Sequence, residues 1–188
     1  MQQLTAREVT LQSSRGDRLS ASIRNCRPDE IDAICALQQD VMNTLFDSSL
    51  LAPTDRQQFE ESLSEDICTA VYRGELMIAY SQMIINRITP RHTALTLGYS
   101  MESLRDCVTF DTVFVRPDYR GYGLQRLLWL PLLPLAESLG ASYAHTTISP
   151  GNLHSLQNAE AMGFSAVMRQ TLYGGYDRYI LECPLKPK

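Results

Sequence analysis

The apolar positions of this chain change period several times, and each change marks an element. Ile31, Ile34, Cys35, Leu37, Val41, Met42 and Leu45 recur with helical spacing. Pro28 suits the first turn of that helix, and Asp29 and Glu30 sit well against its dipole. A short strand over Ser22 to Asn25 precedes it, and Thr54 with Gln57 forms a capping-box pattern ahead of a second helix reaching about Ser64. Cys68 to Tyr72 and Leu76 to Asn86 are predicted strands, joined as a hairpin by Arg73-Gly74-Glu75. The second of these carries apolar residues on both faces, as a central strand does. Arg87 to Cys107 is irregular and long for a connection, a property of loops that shape a site.

Phe110 to Val115 is rich in β-branched and aromatic residues and is predicted to be a strand, ended by Pro117. Leu124, Leu127, Leu128, Leu132, Leu135 and Leu139 then give a helical face that stops at Gly140. Pro131 and Pro134 each remove a helical hydrogen bond, at ~3 kcal/mol in a helix interior. The helix therefore kinks there, or ends near Leu130 and restarts at Pro131. A strand over Ser142 to Ser149, a helix over Asn152 to Met162 ending at Gly163, and strands over Phe164 to Tyr173 and Arg178 to Pro184 complete the pattern. Residues 1–21 are polar and without sustained periodicity, so they are predicted to be an appended arm on a single domain spanning 22–188.

Composition narrows the class. The 188 residues are 44% hydrophobic and 20% charged, which is enough to bury a core without metals or disulfides. A net charge of −4 argues against a nucleic-acid binder, which carries a basic face. The five cysteines are odd in number and lack Cys-x-x-Cys spacing, and the three histidines lack metal-ligand spacing. We therefore expect free thiols in a reducing compartment, no metal, no membrane partner and a cytoplasmic location. No apolar leader is evident at the N-terminus, and the apolar run Leu127 to Ala136 is too short to span a bilayer.

The candidate chemistry lies where the strand Phe110 to Val115 hands over to the helix at Leu124. Gly121 and Gly123 permit positive φ and close backbone approach, and the unpaired amides at a helix start attract anions. Arg120 and Arg126 bracket this turn. The phosphate loop of the P-loop enzymes is absent, and Gly121-Tyr122-Gly123 is not followed by the third small residue of the dinucleotide fingerprint. An ordinary strand-to-helix connection is the alternative.

The segment VRPDYRGYGLQRLL resembles the acetyl-CoA signature V-x-P-x-x-R-G-x-G-x-G/A of the GNAT N-acetyltransferases, with Val115, Pro117, Arg120, Gly121 and Gly123 in register. Gln125 departs from it, standing where the family has Gly or Ala. A second segment, SPGNLHSLQNAEAMGF, is similar to the family's N-x-x-A-x-x-L-Y-x-x-x-G-F through Asn152, Ser155, Gly163 and Phe164. The resemblance implies an α/β fold: a twisted mixed sheet of about seven strands, with helices on both faces, splayed between the fourth and fifth strands. It implies acetyl-CoA as co-substrate and no metal. The cofactor contacts it implies are Phe114, Val115, Arg120, Gly121, Tyr122, Gly123, Leu124, Gln125, Asn152 and Ser155. The reaction implied is direct acetyl transfer to an amine of a small molecule or a protein, and a homodimer is common among such enzymes.

That reaction needs a base to free the amine, a donor for the developing oxyanion and a proton for the leaving thiolate. The family tyrosine that supplies the proton would fall at Ala159, so the acid is missing or is supplied by another group such as Ser155, Tyr173 or water. Asp111, sharing a strand face with Val113 and Val115 opposite Phe110 and Thr112, is the candidate base, against the alternative of a salt-bridged strand carboxylate. His145 is a weaker candidate. A CoA-binding module without catalysis and a ligand-free interaction domain remain the competing readings.

Overall fold

The computed structural model describes residues 4–85 and 87–185. Eight strands form one sheet: β1 (Arg7–Gln12), β2 (Arg18–Asn25), β3 (Ile67–Arg73), β4 (Leu76–Ile85), β5 (Cys107–Val115), β6 (Tyr143–Ile148), β7 (Ser165–Leu172) and β8 (Tyr176–Pro184). Their order is β1-β2-β3-β4-β5-β6-β8-β7. Every pairing is antiparallel except β5 with β6. Helices α1 (Ile31–Met42) and α2 (Arg56–Glu65) cover one face, α3 (Thr93–Thr96) lies in the long connection before β5, and α4 (Leu124–Trp129), α5 (Leu132–Ser138) and α6 (Leu153–Glu160) belong to the other face. No helix among the described residues is long and apolar enough to cross a membrane.

The parallel pair is the feature that makes a site. β5 and β6 pair only from Cys107–Tyr143 to Phe110–Thr146, and beyond that point they diverge. The Thr146 hydroxyl donates to the Phe110 carbonyl at 2.8 Å, closing the fork. On its other side β5 is bulged. Phe110 pairs with Met83 and Thr112 with Gln82, so Asp111 has no partner on β4. One extra residue reverses the alternation of side chains. Phe110 packs on Trp129 and Phe164 with ring centroids at 5.1 and 5.8 Å, whereas Phe114 packs on Phe59 and Tyr80 on the opposite face, at 6.2 and 6.0 Å. Strict alternation had put Phe110 opposite Val113 and Val115; the bulge places all three in or against the same apolar cluster.

Four further expectations are corrected. Residues 7–21 are not a free arm: β1 and β2 form an edge hairpin, with Val9 and Leu11 packed against the core and Gly16 at φ +92° in the turn. Val9 and Leu11 on β1 and Leu19 and Ala21 on β2 are two short pairs split by a polar turn, too brief on either side to register as a period, and Met1, Gln2 and Gln3 lie outside the described residues. β1 brings the sheet to eight strands, in keeping with the expected count of about seven, but β5 begins at Cys107 rather than Phe110. The cap of α2 is Asp55 with Gln58, one residue beyond the Thr54 pattern, because the Thr54 amide and carbonyl are held by the Gln38 side chain. Finally, α1 stops at Met42, short of Leu45. The predicted end of β4 at Asn86 lies outside the described residues.

The proline question resolves into a break. α4 ends at Trp129 and α5 restarts with Pro131 as its cap. Pro134 is then the third residue of α5, where an amide has no intrahelical partner to lose.

One buried charge ties β2 and β3 to the start of α1. Glu30 receives both terminal nitrogens of Arg24 (2.9 and 2.7 Å), the Arg27 amide (2.7 Å) and the Tyr72 hydroxyl (3.0 Å). Burial pushes its carboxyl up, but these donors outweigh it and hold the pKa down at about 2.

Candidate active site

The turn from β5 into α4 folds as its residues dictate. Pro117–Tyr119 makes a single 3-10 turn, and Gly121 and Gly123 take φ +86° and +69°, a region closed to most side chains. The amides of Gly121 to Arg126 find no acceptor among the described residues, the first satisfied amide being Leu127, which donates to the Gly123 carbonyl at 3.0 Å. Both glycines are exposed, and the space in front of Gly123 is open. The turn is thus a run of main-chain donors without partners among the described residues, exposed at Gly121 and Gly123. Arg120 is exposed beside it, its Nη2 3.4 Å from the Thr44 hydroxyl. The Ser14 amide, in the β1–β2 turn, donates to the Gly121 carbonyl at 3.2 Å and braces the loop from behind.

From this turn the cleft between β5 and β6 is lined by Asp111, Val113, Trp129, Thr146, Thr147, Ile148, Ser149, Asn152 and Ser155. Three expected residues are therefore brought together there: Asp111, Asn152 and Ser155. Asn152 caps α6, its Oδ1 accepting from the Ser155 amide at 3.2 Å. Gln125, at the family's Gly or Ala position, is 7% exposed and bridges two residues of α6. Its Nε2 donates to Ser155 Oγ at 3.1 Å and its Oε1 accepts from Asn158 Nδ2 at 3.0 Å. Ser155 Oγ accepts that bond, so its own proton is free for the cleft. Ala159 is fully buried in the core, so α6 presents no phenol at that position.

Asp111 carries the main charge of the cleft wall. Its Oδ2 is 2.9 Å from Arg91 Nη1 and accepts from the Thr112 hydroxyl at 3.1 Å. Its Oδ1 is buried with no hydrogen-bond partner. Arg91 comes from the long connection before β5, donates Nη2 to the Pro53 carbonyl at 3.0 Å and lies 5.2 Å over the Tyr173 ring. Asp111 thus stands in the cleft wall and is half of a buried ion pair, the alternative set beside its role as base.

Tyr173 adjoins this cluster, though it is not in the cleft wall itself. It is the one described non-glycine residue with positive φ, +52°, and its hydroxyl lies 3.0 Å from Thr147 Oγ1. Burial, and then the Asp111 charge, push its phenol up to about 12, so it stays protonated.

The other expected contacts sort by which way they face. Phe114 and Leu124 are buried in the two cores, so only their main chains are available to a cofactor. Val115 and Tyr122 are half-buried against the core behind the turn. His145 is not in the cleft. It is fully buried, with Nε2 3.1 Å from Glu182 Oε2, and burial lowers its pKa despite that carboxylate. His92 is also fully buried and is lowered to about 4 by burial and then by His145, so both rings are neutral at pH 7. The residues that sequence reasoning missed are Arg91 and the wall residues Val113, Trp129 and Thr146 to Ser149. Those of β5 and β6 follow from the point of divergence, which no local pattern encodes.

A sheet forked at its one parallel pair, with free amides at the turn beyond the fork, is the fold of the GNAT N-acetyltransferases. Three solved structures illustrate the likeness. The acetyltransferase of GNAT family from Streptococcus pneumoniae superposes with a TM-score of 0.66 at 14% identity, over 88% of this chain and 99% of that one. The ribosomal-protein-S18-alanine N-acetyltransferase from Escherichia coli gives 0.66 at 16%, over 89% and 96%. The Salmonella typhimurium protein yncA, solved with its cofactor acetyl-CoA, gives 0.67 at 16%, over 89% and 95%. At these identities the likeness establishes the fold. No protein-family model and no curated protein matches the sequence.

Proposed function

We propose that this protein is an acetyl-CoA-dependent N-acetyltransferase that acts on an amine. The observation that carries this reading is Asp111 Oδ1: a buried carboxylate oxygen without a partner, in the wall of the cleft between β5 and β6. An unsatisfied buried acceptor is costly, and an incoming N–H is the group that would satisfy it.

The free amides of Gly121 to Arg126 and the nearby Arg120 suit a diphosphate, and Asn152 and Ser155 suit a polar arm lying in the cleft. Acetyl-CoA, when bound, supplies the acyl group as a thioester. Asp111 orients the amine and takes its proton on Oδ1, while Arg91 keeps the carboxylate in place through Oδ2. The amine nitrogen forms a bond to the acyl carbon as the carbon–sulfur bond breaks. Ser155, whose oxygen is fixed by Gln125, gives its hydroxyl hydrogen bond to the departing sulfur and keeps its proton, and water supplies the proton that the thiolate takes, since Ala159 offers none. Tyr173 and Thr147, hydrogen-bonded to each other, border the acceptor end. A long CoA chain held at its diphosphate supplies the positioning that makes such transfers fast.

The test is release of free thiol from acetyl-CoA across a panel of amines, paired with calorimetry of CoA binding. We expect binding, thiol release with at least one amine, and loss of release in Asp111→Asn. Binding without release from any amine would favour a CoA-binding module, and absence of binding would end both readings.

A further inference from the structure

Arg178 has no role in the chemistry above, yet it is placed as a binding group. It lies on β8, is 3% exposed and pairs with no carboxylate among the described residues. Its neighbour Asp177 is turned the other way, held by Arg169 at 2.6 Å. Both hydrogen bonds that Arg178 makes, to the Ser49 and Asp177 carbonyls at 2.8 Å, use the single nitrogen Nη1. Nη2 and Nε have no acceptor among the described residues. The Tyr176 ring lies 5.0 Å from the guanidinium and supports the cation without neutralising it. A buried cation in a native protein is ordinarily paired, so an unpaired one with two free donor nitrogens points to an anion that is not part of the chain.

The position of this cation says which anion. The loop after α1 is held by both buried arginines, through the Ser49 carbonyl by Arg178 and through the Pro53 carbonyl by Arg91, the residue that pairs with Asp111 of the cleft wall. On β8, Ile180 is the register partner of Thr147, and Arg178 is two residues further on, on the same face and just past the end of β6. The Tyr173 phenol, bonded to Thr147, feels the charges of Asp111, Arg91 and Arg178 together. Arg91 is spent on Asp111, so Asp111 Oδ1 in the cleft wall and the guanidinium of Arg178, beside the Tyr173 that bonds Thr147 of that wall, are each left without an ionic partner of their own.

We propose that the acceptor is an amine that also carries a carboxylate: its nitrogen meets Asp111 Oδ1 and its carboxylate is gripped by Nη2 and Nε of Arg178. This inference rests on the acetyl-transfer reading and narrows it from amines at large to amino acids. A phosphate also accepts such a pair of donors, but its second charge and remaining oxygens would meet no further unpaired cation beside Arg178, because Arg91 is taken by Asp111; a single charge suits the single guanidinium better.

The experiment compares free α- and ω-amino acids with their carboxamides, each pair differing only at the anion. With acetyl-CoA saturating, kcat/KM for the carboxylate member of the best pair should exceed that of its carboxamide by about tenfold to a hundredfold, the range of a charge-assisted hydrogen bond. In Arg178→Gln that ratio should fall towards one, and Arg178→Lys should restore part of it, with CoA affinity by calorimetry unchanged in both. A ratio near one in the wild-type protein overturns the proposal, as does a variant that loses rate on both members equally, because that is the behaviour of a strut under Ser49. A turnover-free measurement separates this inference from the reading beneath it: calorimetry of the CoA-loaded wild-type protein with N-acetyl amino acids and their carboxamides. Preferential binding of the carboxylates with no amine acetylated would uphold the anion site and overturn acetyl transfer. Acetylation without any carboxylate preference would do the reverse, and neither preference nor turnover would overturn both. Because these arms use the wild-type chain, they decide the matter even if the Arg178 variants do not fold.

Discussion

Changing Asp111 to Asn removes one charge from a buried pair and leaves the other in place. The Asp111 and Arg91 side chains are 1% and 10% exposed and 2.9 Å apart, so little water is available to replace the lost partner. Breaking such a pair costs about 3–5 kcal/mol. Arg91 keeps the Pro53 carbonyl and the Tyr173 ring, which argues for the lower end, about 3 kcal/mol. For a chain of this length each kcal/mol moves Tm by roughly 2–4 °C, so the variant should melt about 6–12 °C below wild type. Arg91→Met should cost a similar amount. The double variant Asp111→Asn, Arg91→Met should recover part of the loss, with a coupling of about 2 kcal/mol, because no charge is then stranded. Turnover should not recover with it: both Asp111 variants should lose about a hundredfold or more in kcat, the usual worth of a positioned base. The assay is thermal melting alongside thiol release for the four proteins of the cycle. An Asp111→Asn protein that melts with wild type would show that the pair does not bear on the fold. A double variant that regains turnover along with stability would reduce Asp111 to a counter-ion for Arg91.

Three further perturbations test other parts of the account. Glu30 titrates at about 2 in the fold against an ordinary value of 4.5, so its ionisation stabilises by about 3 kcal/mol; this is fully present above pH 4.5 and lost as the pH falls through 2. Glu30→Gln should therefore be much less stable than wild type at pH 7, with the gap closing near pH 2 in denaturant titrations; a gap independent of pH would refute the assignment. Gln125→Ala should lower stability by about 1–3 kcal/mol by cutting the bridge to Ser155 and Asn158, and should slow acetyl transfer more than it weakens CoA binding; an unchanged rate would separate Ser155 from the chemistry. Gly123→Val forces a branched side chain to φ +69° beside the free amides and should weaken CoA at least tenfold by calorimetry, an unaltered affinity being the result that removes the diphosphate from this turn.

Much of the fold was legible because its signals are local. The stripe from Ile31 to Val41, the Gly74 hairpin and the Gly163 stop each depend on residues a few positions apart. The turn at Gly121 and Gly123 was legible for the same reason, since positive φ and a helix start leave a mark in composition. What escaped depends on distant pairing. The bulge at Asp111 is set by the register of β4, so alternation read along β5 alone assigned the wrong faces around Phe110. Arg91 and Arg178 are 87 residues apart by their numbers, and nothing near either marks it as buried. Val9 and Leu11 gain their apolar environment from a sheet edge that the sequence of the hairpin does not announce. Gln125, noted as a departure from the family pattern, found its reason only with α6 alongside.

The main-chain bond from Ser14 to Gly121 joins the opening segment of the polypeptide to the rim where a nucleotide would dock. Trimming those early residues, or hanging a bulky tag on them, is thus an intervention at the end of the molecule proposed to take the cofactor, although more than a hundred positions of sequence separate the two. Anyone preparing this protein for ligand studies should place affinity handles at the opposite terminus and compare the two designs.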